Sequence, residues 1–282
     1  MENPPADAPL ILPEPKSVRW GDGFLPWERA EFKIGKDGVP VGEFLSVEFA
    51  DMPQEAHDIS ISEIGIKIRA GSGRGAKLAL QTLRQIGMQS GGRGFRFAEI
   101  SDAPDLEVRG FMLDISRCKV PKLGELSRLV DMLALFKYNR LELYMEHTFA
   151  FEGHEIVWAG ASPLSPAAVR KLGEICAVAG VELVPNMNGL GHMERWLRYP
   201  EYQYLAESEA PFVDPLGTVR KYPTTLYPDG RALDFMDSLY AQLLPNFEGE
   251  NFNIGGDEPW ELGMGRSRAR CEAEGGKYGV YI

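Results

Sequence analysis

Cysteine is scarce: Cys118, Cys176 and Cys271 are the three in 282 residues. They are odd in number, far apart and never in C-x-x-C spacing, which speaks against a disulfide framework and for free thiols in a reducing compartment. No run of about 18 apolar residues occurs, so nothing reads as a membrane span. Long basic runs are also absent, and 30 Lys and Arg against 41 Asp and Glu leave a net charge of −11. That balance argues against nucleic acid or an anionic membrane surface as partner and fits a neutral or polar small substrate. The opening "MENPPADAPLILPEPK" lacks the basic and apolar regions of a secretory signal, so the location expected as written is cytoplasmic. A segment upstream would change this to secreted or periplasmic. What is present is ordinary for a globular protein: 44% hydrophobic and 25% charged residues, enough for a sizeable core without a covalent staple.

The first fifteen residues carry five prolines and read as an extended tail. Strand-like stretches follow at 41–50 and at 57–70, "HDISISEIGIKIRA". In the second, Ile59, Ile61, Ile64, Ile66 and Ile68 alternate with polar residues around a phase change near Glu63, which marks half-buried strand separated by a turn or bulge. "GSGRG" at 71–75 breaks this pattern, and Leu78, Leu83 and Ile86 then recur at helical spacing over 76–89. The glycines lack phosphate-loop spacing and read as the turn into the helix. A small α+β domain over 1–105 is the natural expectation.

From 106 onward strands and helices alternate. "VRGFMLDIS" (108–116), "RLELYME" (140–146), "VELVPNMN" (181–188) and "NFNIGG" (251–256) read as strands. Between them, 122–138 carries Leu126, Leu129, Val130, Leu133 and Phe136 on one stripe, 165–180 begins Ser-Pro and ends in glycine, and 233–244 is helical in pattern. β-then-α units of this kind indicate a parallel sheet, either a (β/α) barrel or a doubly wound sheet. A complete barrel takes about 200 residues or more. Residues 106–282 are therefore expected to be the first four β/α units, half of a (β/α)8 TIM-type barrel; an open sheet is the alternative.

In such sheets, ligands meet the carboxyl ends of the strands. Those ends carry Asp114, Ser116 and Arg117; Glu146, His147 and Thr148; Asn186, Asn188 and His192; and Asp257 and Glu258. His57 and His154 read as ordinary surface residues. The adjacent pair Asp257–Glu258 poses a question, because neighbours on a strand point to opposite faces. They can serve one ligand only if the strand ends there, which Gly255 and Gly256 permit by freeing the backbone. Two inequivalent acids, one ionised and one holding a proton, are what glycoside cleavage uses; a solvated loop pair is the alternative.

The stretch "NIGGDE" resembles the G-G-D-E signature of the family 20 glycoside hydrolases, the β-N-acetylhexosaminidases. "ALQTLRQI" (79–86), "VRGFMLDISR", "MLALFKYNRLELYM" and "GVELVPNMNGLGH" follow that family's order over roughly residues 15 to 265. The resemblance implies removal of terminal β-linked N-acetylhexosamine from a glycan or amino-sugar glycoside, with no cofactor and no metal. It makes Glu258 the general acid and base, and Asp257 the residue that orients the substrate's 2-acetamido group. That group's carbonyl oxygen is the nucleophile, giving an oxazolinium intermediate and retention. Arg109 would hold sugar hydroxyls through its planar fork, and His192 would stand beside the acid.

Departures from the family pattern fall in the substrate pocket. "EHTFAF" (146–151) stands where an Asp-Asp-Gln-Gly-Trp run is usual, and Asn186 and Asn188 stand where the third strand usually ends in Glu and Asp. Glu146, His147 and Asn188 are thereby expected to shape the sugar subsite, and Trp260 is a stacking platform or a packing residue. A carbohydrate-binding or degenerate relative is the alternative function, opposed by the retention of both Asp257 and Glu258. A metal site from His147, His192, Glu146 and Asp257 is a further reading, without the usual ligand spacing. Half a barrel, taken alone, is expected to be inactive or nearly so and to self-associate through its sheet edges.

Overall fold

The computed structural model describes residues 5, 7–29, 33–35, 40–117 and 119–281. Cys118 lies outside them, and Cys176 and Cys271 are buried free thiols. The chain divides into two compact units: Met1–Phe111 with Gly124–Arg140 and Glu174–Glu182, and Met112–Leu123 with Leu141–Gly173 and Leu183–Ile282.

The first unit is built on β1 (Ser17–Leu25), β2 (Leu45–Phe49), β3 (His57–Ser62), β4 (Gly65–Ala70) and β5 (Phe95–Asp102). Their order in the sheet is β1-β5-β3-β4-β2, antiparallel except for the β4–β2 pair. The isoleucine stretch is the β3–β4 hairpin, with Ile59 opposite Ile68 and Ile61 opposite Ile66. The phase change is its turn, which leaves Ile64 exposed. Helix α1 (Gly73–Met88) is capped by Ser72, whose hydroxyl accepts the Arg74 N–H. Its Ala76, Ala79, Leu83 and Ile86 share one buried cluster with Ile59, Ile68 and Ile100. Each large aliphatic side chain so buried contributes about 1.5–3 kcal/mol.

Two expectations are corrected in this unit. Residues 10–12 of the proline-rich stretch are fastened along α1: Gln85 both donates to and accepts from the backbone of Leu12, Gln89 does the same with Leu10, and Ile11 is buried. His57, expected at the surface, is fully buried, with Nδ1 3.1 Å from the Glu55 carbonyl oxygen. Asp102 lies 3.9 Å from its Nε2 and also pairs with the buried Lys137 ammonium at 2.6 Å.

The barrel-like sheet comprises β6 (Gly110–Asp114), β7 (Arg140–Met145) and β8 (Glu182–Met187), in the order β8-β7-β6. The β6–β7 ladder runs parallel, from Asn139 N–H on the Arg109 carbonyl to Ile115 N–H on the Tyr144 carbonyl. Helices α2 (Leu123–Leu135) and α3 (Pro166–Ala179) are the crossovers. Proline opens α3, where its missing N–H costs nothing, and Gly180 at φ 76° closes it. Helix α4 (Gly230–Leu243) is capped by Asp229 on the Arg231 and Ala232 N–H groups.

The expected fourth strand reduces to a single parallel bridge, Asn186 to Asn253. Asn253 makes the ladder bonds to Pro185 and Met187. Its side chain then takes the Gly255 N–H at 2.9 Å, and Gly255 and Gly256 turn the chain at φ 69° and 98°. His154, also expected at the surface, is partly buried: Nδ1 is 2.7 Å from the Tyr202 hydroxyl, among the rings of Trp196, Tyr202 and Phe235.

Candidate functional site

All the residues that gather at the carboxyl ends of the strands belong to the second unit. Strand alternation puts Glu142, Tyr144 and Glu146 on one face of β7 and Asn186 and Asn188 on one face of β8. Glu142 accepts from the side-chain amides of Asn186 and Asn253 at 2.7 and 2.9 Å. One step along, the Tyr144 hydroxyl accepts from Asn188 at 2.7 Å and from Arg117 at 3.2 Å, and donates to Glu146 Oε1 at 2.9 Å.

Arg117 follows β6 directly. Its guanidinium donates to Asp114 Oδ2 at 2.6 Å and lies 4.8 Å over the Tyr144 ring. Its other terminal nitrogen is 3.7 Å from Glu146. Asp114 Oδ1 also takes the backbone N–H of Ser116 and of Arg117. Burial pushes the Asp114 carboxyl up, but the bonds from Arg117 and Ser116 outweigh it and hold the group below the usual carboxylate range. Glu146 behaves oppositely: burial outweighs Tyr144, Arg117 and His192 and raises its pKa. Burial likewise raises Tyr144. The strand end is pinned by Ser116, whose hydroxyl accepts the Glu146 N–H at 2.6 Å, and by Trp196, whose indole donates to the Glu146 carbonyl at 2.7 Å.

His192 closes the arrangement. It has φ 55°, Nδ1 3.7 Å from Glu146, and Nε2 3.1 Å from Asp257 Oδ2 and 3.4 Å from Glu258 Oε2. The adjacent acids thus converge on one imidazole nitrogen. They do so because the strand has already ended: Gly255, Gly256 and Glu258 all adopt positive φ, with Glu258 at 53°. A non-glycine residue there is strained, and such strain collects at functional sites. Both carboxylates are well exposed, at 59% and 45% of the side chain, and open to a ligand.

Of the side chains expected at the site, Glu146, Asn188, His192, Asp257 and Glu258 are brought together. Trp260 is partly buried, its backbone N–H donating to the Glu258 carbonyl at 2.8 Å. His147 is buried and points its Nδ1 at no partner; burial, then Arg195 and Arg198, lower its pKa to about 4. Arg109 belongs to the first unit. It immediately precedes β6, donating to the carbonyls of Lys137 and Leu106 and paired with Glu55 at 2.8 Å. The guanidinium at the site is that of Arg117, signalled in the sequence by its place just past the strand end. Tyr144 carries no such signal, since an aromatic in an apolar strand reads as core, and nothing in "MERWLRYP" marks Trp196 as a partner of the strand end. Among the described residues, no group of His, Cys, Asp and Glu is placed to hold a metal ion, and no helix is long and apolar enough to cross a membrane.

Comparison with known proteins bears on this geometry. The model of the glycosyl hydrolase family 20 catalytic domain matches residues 107–274, and that of domain 2 of the same family matches 29–103. Beta-hexosaminidase of Akkermansia muciniphila is 25% identical over 289 residues, covering 92% of this chain and 55% of that protein. Human hexosaminidase D is 24% identical over 173 residues, covering 61% of this chain and 33% of its own. Among solved structures, the exo-β-N-acetylglucosaminidase of Vibrio harveyi in complex with N-acetylglucosamine gives a TM-score of 0.79 at 17% identity, over 98% of this chain and 52% of that one. Flavobacterium johnsoniae chitobiase gives 0.76 at 20% identity, over 92% and 46%. These likenesses establish the fold, a small α+β domain followed by part of a TIM-type barrel. Against the Akkermansia and Vibrio proteins the chain spans about half the relative's length.

Proposed function

The chain belongs to glycosyl hydrolase family 20, and on that premise we propose that its protein removes terminal β-linked N-acetylhexosamine from a glycan by a retaining, substrate-assisted reaction. The observation that carries this reading is the convergence of Asp257 and Glu258 on His192 Nε2, at 3.1 and 3.4 Å. In the first step the substrate's acetamido carbonyl oxygen attacks the anomeric carbon. Glu258 gives its proton to the glycosidic oxygen, and the C–O bond to the leaving group breaks. Asp257 accepts the acetamido N–H and offsets the positive charge that spreads over the oxazolinium ring. In the second step the Glu258 carboxylate takes a proton from water, whose oxygen adds to the anomeric carbon and reopens the ring. His192 holds the two acids in register, with Glu146 behind its Nδ1 at 3.7 Å. Arg117, half-exposed beside Glu146, supplies the donors for sugar hydroxyls.

The test uses the whole natural protein that carries this sequence, with nitrophenyl β-N-acetylglucosaminide and the plain β-glucoside as substrates. Cleavage of the first alone, lost in Glu258→Gln and strongly reduced in Asp257→Asn, is the expected outcome. Equal cleavage of both would mean that a side chain, not the acetamido group, is the nucleophile.

A further inference from the structure

We propose that Glu261 is a positioning residue that locks the His192 turn against the Asp257–Glu258 pair. This inference rests on the reading of that pair given above. Glu261 is 0% exposed, a buried carboxylate that takes no part in the proposed reaction. Its oxygens accept from the Thr224 N–H at 2.7 Å and from the Thr224 and Thr225 hydroxyls, each at 2.6 Å. Three donors to one buried carboxylate are what a charge removed from water requires.

The partners of that bonded segment explain what the carboxylate does. The Thr224 carbonyl accepts the Met193 N–H, and the Leu226 N–H donates to the Leu190 carbonyl, both at 2.9 Å. Residues 224–226 therefore bracket the turn 190–193 that presents His192 at φ 55°. The other side of the turn lies on the acid pair: a Cβ built on Gly191 would collide with the backbone carbonyls of Asp257 and Glu258. The turn is thus gripped between two segments, 224–226 and 257–258. Glu261, three residues beyond Glu258, ties the one to the other. A substitution that loosens this tie should let the imidazole drift from the two carboxylates. Displacements of about 1 Å in catalytic geometry cost about a hundredfold in rate.

Thr225→Val removes one hydroxyl donor while keeping the side-chain shape, and Thr225→Ser restores the hydroxyl. Asn246→Ala is the control: its amide is buried and donates to the Gln242 and Leu243 carbonyls at the end of α4. The expected result is a kcat lowered at least tenfold in Thr225→Val with KM within twofold, near wild type in Thr225→Ser, and unchanged in folded Asn246→Ala at a comparable drop in Tm. The ring 15N shifts of His192, which report its hydrogen bonds, should move in Thr225→Val and not in Asn246→Ala. Equal effects of Thr225→Val and Asn246→Ala on kcat, or unmoved His192 shifts in Thr225→Val, would overturn the proposal. If the wild-type protein cleaves neither glycoside, the activity reading fails on its own, and the His192 shifts still decide the role of Glu261.

Discussion

The indole nitrogen of Trp196 donates a hydrogen bond to the carbonyl oxygen of Glu146 at 2.7 Å, both groups being buried. This bond fixes the end of β7, from which Glu146 reaches the Tyr144 hydroxyl and faces His192. Trp196→Phe would keep an aromatic ring against Phe151, Tyr202 and Phe235 but strand a buried carbonyl. We expect a loss of about 1–3 kcal/mol in denaturant unfolding, with kcat/KM falling as Glu146 loses its register. An unchanged unfolding midpoint would show that the carbonyl finds another donor.

Arg109 and Arg117 flank β6 in the chain and should separate function from stability. Arg117→Ala should lower kcat/KM by about a hundredfold, the equivalent of one charge-assisted contact at roughly 1.5–3 kcal/mol, with little change in Tm. Arg109→Ala should do the reverse. It strands Glu55 and the carbonyls of Leu106 and Lys137, which should cost on the order of 2–4 kcal/mol while the folded fraction keeps its kcat/KM. Steady-state kinetics beside thermal melts of both variants distinguish the two roles.

The contrast also separates the parts of the molecule that residue types declare locally from those that distant contacts decide. Ile59, Ile61, Ile66 and Ile68 declare a hairpin because only one face of it is buried, so period-two alternation survives in the residue types. Pro166 and Gly180 declare the limits of α3 for equally local reasons. The convergence of Asp257 and Glu258 is foreshadowed by the two glycines before them. The burial of His57 is not, since it depends on Asp102 and Lys137, distant in the chain. Neither is the fastening of Leu10 and Leu12 by Gln85 and Gln89, because a glutamine on a helix face looks the same whether it meets water or a backbone. Arg117 is legible by its place just past a strand end, whereas the bonds of Arg109 to Glu55, Leu106 and Lys137 depend on residues that no local motif names.

Gly255 is a sharp test of the turn before the acid pair. At φ 69° a side chain is strained, and a Cβ there would overlap the Asn188 amide oxygen. Asn188 donates to Tyr144, so relief of the overlap would propagate to Glu146. Gly255→Ala should cost about 1–3 kcal/mol in stability and lower kcat more than tenfold. Gly153→Ala, also at positive φ but with open space around its Cβ, should cost stability alone. Equal kcat values in the two variants would disconnect the turn from the site.

His147 should make stability depend on pH in a window that can be named. Its imidazole is buried, and burial, reinforced by Arg195 and Arg198, lowers its pKa from 6.5 to about 4. The folded protein therefore keeps it neutral where the unfolded chain already binds a proton. Where the unfolded state binds more protons, stability rises with pH. The contribution is thus complete above pH 6.5 and is lost progressively as the pH falls toward 4. At about 1.4 kcal/mol per pKa unit, the loss reaches up to about 3 kcal/mol. Urea unfolding of the wild type and of His147→Gln should show free energies that differ most at pH 7 and converge, or cross, near pH 4. Parallel curves across that interval would mean that His147 titrates in the folded protein as it does in the unfolded chain, and that its burial does not keep it neutral.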